Sequence, residues 1–162
     1  MYKILFVCLG NICRSPAAEN IMNQHLAEAG LDGSIYCDSA GTSGYHIGAP
    51  PDRRMAASLQ QRGYPVTGRA RQFEWADFRE FDLILAMDRE NQRDILSLDS
   101  TGRYHSKVKL FCDYAQNHRE TEVPDPYYGG PEGFEKVITL LEDGCQTLVE
   151  ELKNKLSTES QP

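Results

Sequence analysis

A cysteine and an arginine with five residues between them, Cys8 and Arg14, stand where the apolar run Ile4-Leu5-Phe6-Val7 gives way to a segment patterned as a helix. A thiolate is a nucleophile, and a guanidinium grips two oxygens of a tetrahedral anion in a bidentate manner that the point charge of lysine cannot reproduce. Between them lie Leu9, Gly10, Asn11, Ile12 and Cys13, followed by Ser15 and Pro16 at the helix start. A loop leading from strand to helix places backbone N–H groups and the positive end of the helix dipole at its centre, where anions collect. The spacing therefore predicts a phosphate cradle, built from residues 9–13 and Arg14, that contains its own nucleophile. Such a setting lowers a cysteine pKa from about 8.5 into roughly the 3.5–7.5 range, so Cys8 is expected to be ionised at neutral pH. Gly10 permits close approach of backbone to ligand, and Asn11 tolerates a left-handed conformation. The Ser15 hydroxyl suits two roles, donation to the Cys8 sulfur or capping of the helix.

Attack of sulfur on a phosphate ester expels an alkoxide or phenoxide, which calls for an acid. Val123-Pro124-Asp125-Pro126-Tyr127-Tyr128-Gly129-Gly130 offers one, with prolines stiffening the backbone on both sides of Asp125. Burial or the nearby thiolate is expected to raise the Asp125 pKa so that it can donate. Tyr127 and Tyr128 can form an apolar wall along an aromatic substrate, although a Pro-Asp-Pro-Tyr segment is also an ordinary turn.

Taken together, these residues resemble the low-molecular-weight protein tyrosine phosphatases from Tyr2 to about Leu156. The resemblance rests on Cys8-Leu9-Gly10-Asn11-Ile12-Cys13-Arg14-Ser15-Pro16, Asp38-Ser39-Ala40-Gly41-Thr42, Leu85-Ala86-Met87-Asp88 and Val123-Pro124-Asp125-Pro126-Tyr127. It implies a phosphocysteine intermediate on Cys8, phosphoryl binding by Arg14, and Asp125 acting first as acid and then as base. It also implies that Cys13 is a backup thiol able to form a disulfide with the nucleophile, and that Ser39 holds Asn11 by a hydrogen bond. No cofactor is implied. Many members carry a histidine where this chain has Gly68, so part of the network behind the loop is expected to be missing or replaced by water. Asp88 is expected either to support the site or simply to cap a helix.

A chain of 162 residues suits one domain with a two-sided core. Apolar runs at Ile4–Cys8, Ile35–Cys37, Leu83–Met87 and Val108–Cys112 alternate with helical patterns, predicting an α/β fold: a four-stranded parallel, doubly wound sheet with helices on both faces. Helices are expected after the loop, over Asp52–Arg62, near Glu74–Phe78, from Asp88, and over Pro131–Leu156, with 157–162 a short polar tail. In the last helix Phe134, Val137, Ile138, Leu141, Cys145, Leu148, Val149, Leu152 and Leu156 form a core stripe. Ligands bind outside the carboxyl ends of parallel strands, which is where Cys8 falls. The 42–51 loop should rim the site, making Leu9 and Tyr45 candidates for substrate selection.

Seventeen Lys and Arg against twenty-four Asp and Glu give a net charge of −7, which disfavours nucleic acid and anionic membranes. Arg53-Arg54 and Arg69/Arg71 are candidate steering charges for acidic phosphopeptides, or merely solubilising ones. Five cysteines form no C-x-x-C, and four histidines show no metal-ligand spacing, so no metal is assigned and the histidines are read as structural or solvated. The expected partners are tyrosine-phosphorylated proteins, with small aryl phosphates accepted in vitro, no nucleic acid and no membrane. A monomer or weak dimer in the cytoplasm is expected. Arsenate reduction in a similar loop would need paired resolving cysteines over Asp88–Leu98, and none is present there. A third alternative is a non-enzymatic phosphopeptide-binding or redox-sensing module that uses Cys8 and Cys13.

Overall fold

Alternation along the first apolar run decides the layering. Ile4, Phe6 and Cys8 point into one buried cluster and Leu5 and Val7 into another, so β1 (Tyr2–Cys8) is covered on both faces. A computed structural model describes residues 1–127 and 129–159 of the chain. β1 pairs in parallel with β2 (Ile35–Gly41) on one side and with β3 (Leu83–Ala86) on the other, and β4 (Val108–Leu110) adds to β3, giving the order β2-β1-β3-β4. The chain thus runs to opposite sides of β1, and the crevice at its carboxyl end is the switch point of a doubly wound sheet.

One face is covered by α1 (Arg14–Glu28), α2 (Arg53–Gln61) and α5 (Pro131–Glu159). The predicted α5 stripe is buried from Phe134 to Leu152, with Leu156 partly buried at its end. The other face is covered by α3 (Asp77–Glu80) and α4 (Arg89–Ser97), with Phe73, Phe78, Phe81 and Ile95 in its core. Asp52 caps α2 by accepting the N–H groups of Arg54 and Met55, which fixes where that helix begins.

β2 runs past its apolar start to Gly41, with Ser39, Ala40 and Gly41 pairing with Phe6, Val7 and Cys8, and so ends where the sequence places the end of the second strand, near Ser39-Ala40-Gly41. Other boundaries differ from the sequence expectation. β4 stops at Leu110 instead of Cys112: residues Phe111–Tyr114 turn into a 3₁₀ segment that sends the Phe111 ring beneath α5, against Phe6. The helix expected near Glu74–Phe78 begins at Asp77, whose carboxylate takes the Glu74 N–H at 2.8 Å and holds the preceding residues in a turn. α5 includes Ser157–Glu159, assigned to the tail on composition; the Thr158 hydroxyl donates to Asn154 O one turn back.

Gly144 sits in the interior of α5, where glycine costs helix stability, and its reason is steric: a Cβ there would overlap the Phe111 ring. Gly144→Ala should therefore destabilise the fold by roughly 1–3 kcal/mol despite alanine's better helix propensity. The check is the urea midpoint, which should fall; an unchanged or raised midpoint would contradict this packing.

Candidate active site

Residues 8–14 curl at the mouth of the switch point because their carbonyls are pulled outward. Cys8 O accepts the Thr42 N–H, Leu9 O the Ser43 N–H, Ile12 O the Asp52 N–H and Cys13 O the Ala17 N–H, at 2.7–3.2 Å. In a planar trans peptide the N–H points opposite to its carbonyl, so the amides of Leu9, Gly10, Cys13 and Arg14 are turned the other way. They face a cavity of about 170 Å³ lined by Cys8, Leu9, Gly10, Ile12, Cys13 and Arg14 from the loop and by Ser43, Tyr45, His46, Asp125 and Tyr127 around the rim. The cradle, the acid and the candidate selection residues Leu9 and Tyr45 are thus brought together. Tyr128 lies outside the described residues.

At the floor, the Asn11 N–H donates to the Cys8 sulfur at 3.3 Å and Ser15 Oγ lies 3.0 Å from it. Ser15 makes no side-chain cap to α1, so of its two expected roles the one toward sulfur is realised. Asn11 adopts φ 57°, as its residue type allows. Its amide donates to Ser15 Oγ at 2.8 Å and Ser39 Oγ at 2.9 Å, and its Oδ1 accepts the Arg71 N–H at 2.9 Å. The Ser39 hydroxyl in turn donates to Glu19 Oε1 at 2.7 Å.

Arg14 is 2% exposed, a buried cation held from behind. Its Nη1 donates to Asp88 Oδ2 at 2.6 Å and to Val123 O at 3.0 Å, and its Nη2 lies 3.6 Å from Asp125 Oδ2. Burial alone would lower the Arg14 pKa, but Cys8, Asp88 and Asp125 together hold it above its ordinary value. Asp88 does both things foreseen for it: its Oδ1 caps α4 through the Asn91 N–H while its Oδ2 anchors Arg14. Asp125 Oδ1 accepts the Tyr127 N–H at 3.0 Å, which fixes its carboxyl, and the Val123 N–H reaches Met87 O on the far side of the site. Cys13 is 4% exposed, and burial, followed by Asp52, Cys8 and Asp125, pushes its thiol up, so it is neutral at physiological pH.

Two expectations change. His46, read as structural or solvated, lines the cavity, its ring 6.3 Å from that of Tyr127. Arg71 is no free steering charge, being paired with Asp38 and Asp77 at 3.1 and 3.0 Å; Arg69 donates to Gly48 O, and Arg54 is held by Asp52 and lies over the rings of Tyr127 and Phe134. At Gly10 a Cβ would meet His46 Cδ2 at 3.0 Å, so its small size also serves the rim. The glycine the loop depends on is Gly41, where a Cβ would stand 2.7 Å from Leu9 O. Gly68 has φ 112°, and a Cβ there would lie 4.0 Å from Glu19 Oε2, so the backbone passes this carboxylate oxygen with no side chain directed at it.

Burial raises the Glu19 pKa to about 7, with Asp38 adding and the Ser39 hydrogen bond and Arg71 opposing. A carboxyl whose folded pKa lies above its ordinary value near 4.5 favours folding when protonated. Stability should therefore fall as pH rises from about 4.5 through 7. Glu19→Gln should remove this slope and make the protein more stable than wild type at pH 8, by up to roughly 2 kcal/mol after discounting for partial exposure. Urea titrations of both proteins at pH 5 and 8 test it, and equal slopes would refute it.

Residues 3–158 match the family described as low molecular weight phosphotyrosine protein phosphatase. The chain is 64% identical over 154 residues to a Synechocystis protein named provisionally as a low molecular weight protein-tyrosine-phosphatase, covering 95% of this chain and 98% of that one. It is 38% identical over 149 residues to the human low molecular weight phosphotyrosine protein phosphatase, covering 91% and 94%. A crystal structure of an Entamoeba histolytica protein tyrosine phosphatase superposes with a TM-score of 0.92 at 44% identity, covering 96% and 99%.

Proposed function

The chain belongs to the low molecular weight phosphotyrosine protein phosphatase family and is a protein-tyrosine phosphatase, and from this premise we propose that it hydrolyses phosphotyrosine through a phosphocysteine on Cys8, with Arg14 and the loop amides as the phosphoryl clamp and Asp125 as acid and base. The observation that carries the assignment is the convergence of the Cys8 sulfur, the buried Arg14 and the Asp125 carboxyl on one cavity.

In the first step the Cys8 thiolate attacks phosphorus in line, the S–P bond forms as the P–O bond to the aryl group breaks, and Asp125 gives its proton to the departing oxygen. In the second, Asp125 takes a proton from water as that water attacks phosphorus; the S–P bond breaks, phosphate leaves and the thiolate returns. The amides and Arg14 are fixed before substrate arrives, so stabilising the charge on the equatorial oxygens costs no reorganisation. A buried cavity of about 150 Å³ holds a benzene ring, so this site, open at its mouth, has room for a phosphoaryl group but not for much beyond it. Leu9, Ile12, Tyr45 and Tyr127 supply apolar surface for the ring, and a short phosphoserine has no ring to place against them.

The two loop thiols support reversible redox control. Peroxide converts the Cys8 thiolate to a sulfenic acid, and the neutral Cys13 thiol condenses with it to a disulfide and water, which a cellular dithiol reverses. Tyrosine-phosphorylated proteins are the partners this chemistry requires, and a cytoplasmic setting suits the reduced resting state. Among the described residues no helix is long and apolar enough to cross a membrane, and no group of three His, Cys, Asp or Glu side chains is placed to hold a metal ion.

With p-nitrophenyl phosphate and a phosphotyrosine peptide, Cys8→Ser should show no measurable turnover yet still bind phosphate. Arg14→Lys should lose about 10²–10³-fold in kcat/KM. Asp125→Asn should lose about 10²–10⁴-fold, with the larger loss on the ester with the poorer leaving group. Retention of near-normal turnover by Cys8→Ser would overturn the mechanism, as would a phosphoserine peptide turned over as fast as the phosphotyrosine one.

A further inference from the structure

Glu19 lies behind the loop, outside the cavity, yet it ends a continuous hydrogen-bonded chain that begins at the nucleophile. From sulfur outward the members are Ser15 Oγ, Asn11 Nδ2, Ser39 Oγ and Glu19 Oε1, linked at 3.0, 2.8, 2.9 and 2.7 Å. The direction of donation is set at two points. The Arg71 N–H binds Asn11 Oδ1, so the Asn11 amide must present hydrogens to both serines. Ser15 Oγ then accepts from Asn11 and has one proton to give, to the sulfur or, at 3.3 Å, to Ala40 O. Ser39 Oγ likewise accepts from Asn11, and its one proton goes to Glu19. Among the described residues Ser39 is the one hydrogen-bond donor to this carboxylate, and the glycine at position 68 contributes none.

A hydroxyl that donates to an anion becomes a stronger acceptor itself, so a charged Glu19 tightens the bond that holds Asn11 in its left-handed conformation. Asn11 in that conformation aims its own N–H at the sulfur. We propose that Glu19 is a positioning residue of this phosphatase: its carboxylate, by accepting the Ser39 hydroxyl, polarises and holds the chain that directs the Asn11 and Ser15 donors at Cys8, and its protonation slackens that chain. The proposal rests on the assignment of Cys8 as nucleophile and adds a control that assignment does not contain.

Other groups near Glu19 leave it free to titrate alone in the neutral range. Tyr36 and Cys37 on β2 are pushed up, by burial first and by neighbouring negative charge, and Arg71 remains a cation. Asp38 is the remaining neighbour, and its carboxylate is occupied by Arg71 at 3.1 Å. The Glu19 pKa near 7 places the control within the physiological range.

The experiment compares kcat/KM for p-nitrophenyl phosphate in wild type and Glu19→Gln from pH 5 to 9. Gln stands in for the protonated acid, so the wild-type to variant ratio should be near one at pH 5 and climb to roughly tenfold at pH 8, the size of one charge-assisted hydrogen bond. Chemistry that Glu19 does not touch is common to both proteins and cancels in the ratio, whereas a change in how firmly the Asn11 and Ser15 donors hold the Cys8 sulfur is the effect being read. In a Ser39→Ala background the same substitution should give a flat ratio near one. A ratio in the wild-type background that does not change with pH, or a pH-dependent ratio that persists without Ser39, would overturn the proposal. Should Glu19→Gln not fold, the wild-type to Ser39→Ala ratio replaces it, with the same rise expected and a flat result equally fatal. Failure of the wild type itself to turn over at any pH would instead count against the phosphocysteine mechanism and take this inference down with it.

Discussion

Everything in this structure follows from the requirement that one seven-residue turn show an anion its N–H groups and hide its carbonyls. A free loop points both kinds of group at random, and a carbonyl facing a phosphate would repel it. The loop is held the right way round because each of four carbonyls finds an N–H outside it: two at the end of β2, one at the cap of α2 and one in the first turn of α1. The parallel pairing of β1 with β2 brings Thr42 and Ser43 alongside Cys8 and Leu9, so sheet register and phosphate recognition are a single constraint. Gly41 belongs to that constraint as well, since only a residue without Cβ lets β2 run this close beneath the Leu9 carbonyl.

Electrostatically the site is a buried cation ringed by groups that are or become anions. Arg14 meets Asp88, Asp125 and the Cys8 sulfur, and would be costly to bury without them. Asp88 completes its side of the pair while capping α4, so the position of that helix and the aim of the guanidinium are set by one carboxylate. This arrangement explains how a chain of net charge −7 attracts a phosphoryl dianion: the attraction is local, made by oriented amides and one desolvated guanidinium, with the surface charge screened away beyond about 10 Å. Two of the candidate steering cations are engaged in holding structure, Arg71 between Asp38 and Asp77 and Arg54 over Tyr127 and Phe134.

What the sequence displayed and what it concealed divide along a physical line. Cys8, Arg14 and Asp125 were legible because chemistry demands those residue types at rigid positions, and the strands and the α5 stripe were legible because burial imposes a period. The end of β4 was not: whether Phe111 extends the strand or turns under α5 depends on the notch at Gly144, a contact across 33 positions of sequence that no local pattern records. His46 and Gly41 were equally silent, the first because an isolated histidine carries no periodic signal, the second because its reason is a carbonyl 32 residues away. Arg71 looked like a surface charge because its two partners, on β2 and α3, come together only in the folded chain.

Glu19 shows why such silent residues gather behind active sites. The fold is more stable with this carboxyl neutral, since burial penalises its charge, whereas the hydrogen-bonded chain to Cys8 is tightest with the charge present. Burial and the Ser39 hydrogen bond therefore pull its protonation in opposite directions, and burial prevails, which lifts the pKa from its ordinary value near 4.5 to about 7. Gly68, at φ 112°, brings no side chain to this carboxylate, so the one hydrogen bond it accepts among the described residues is from Ser39, the same hydroxyl that holds Asn11 beside the Cys8 sulfur.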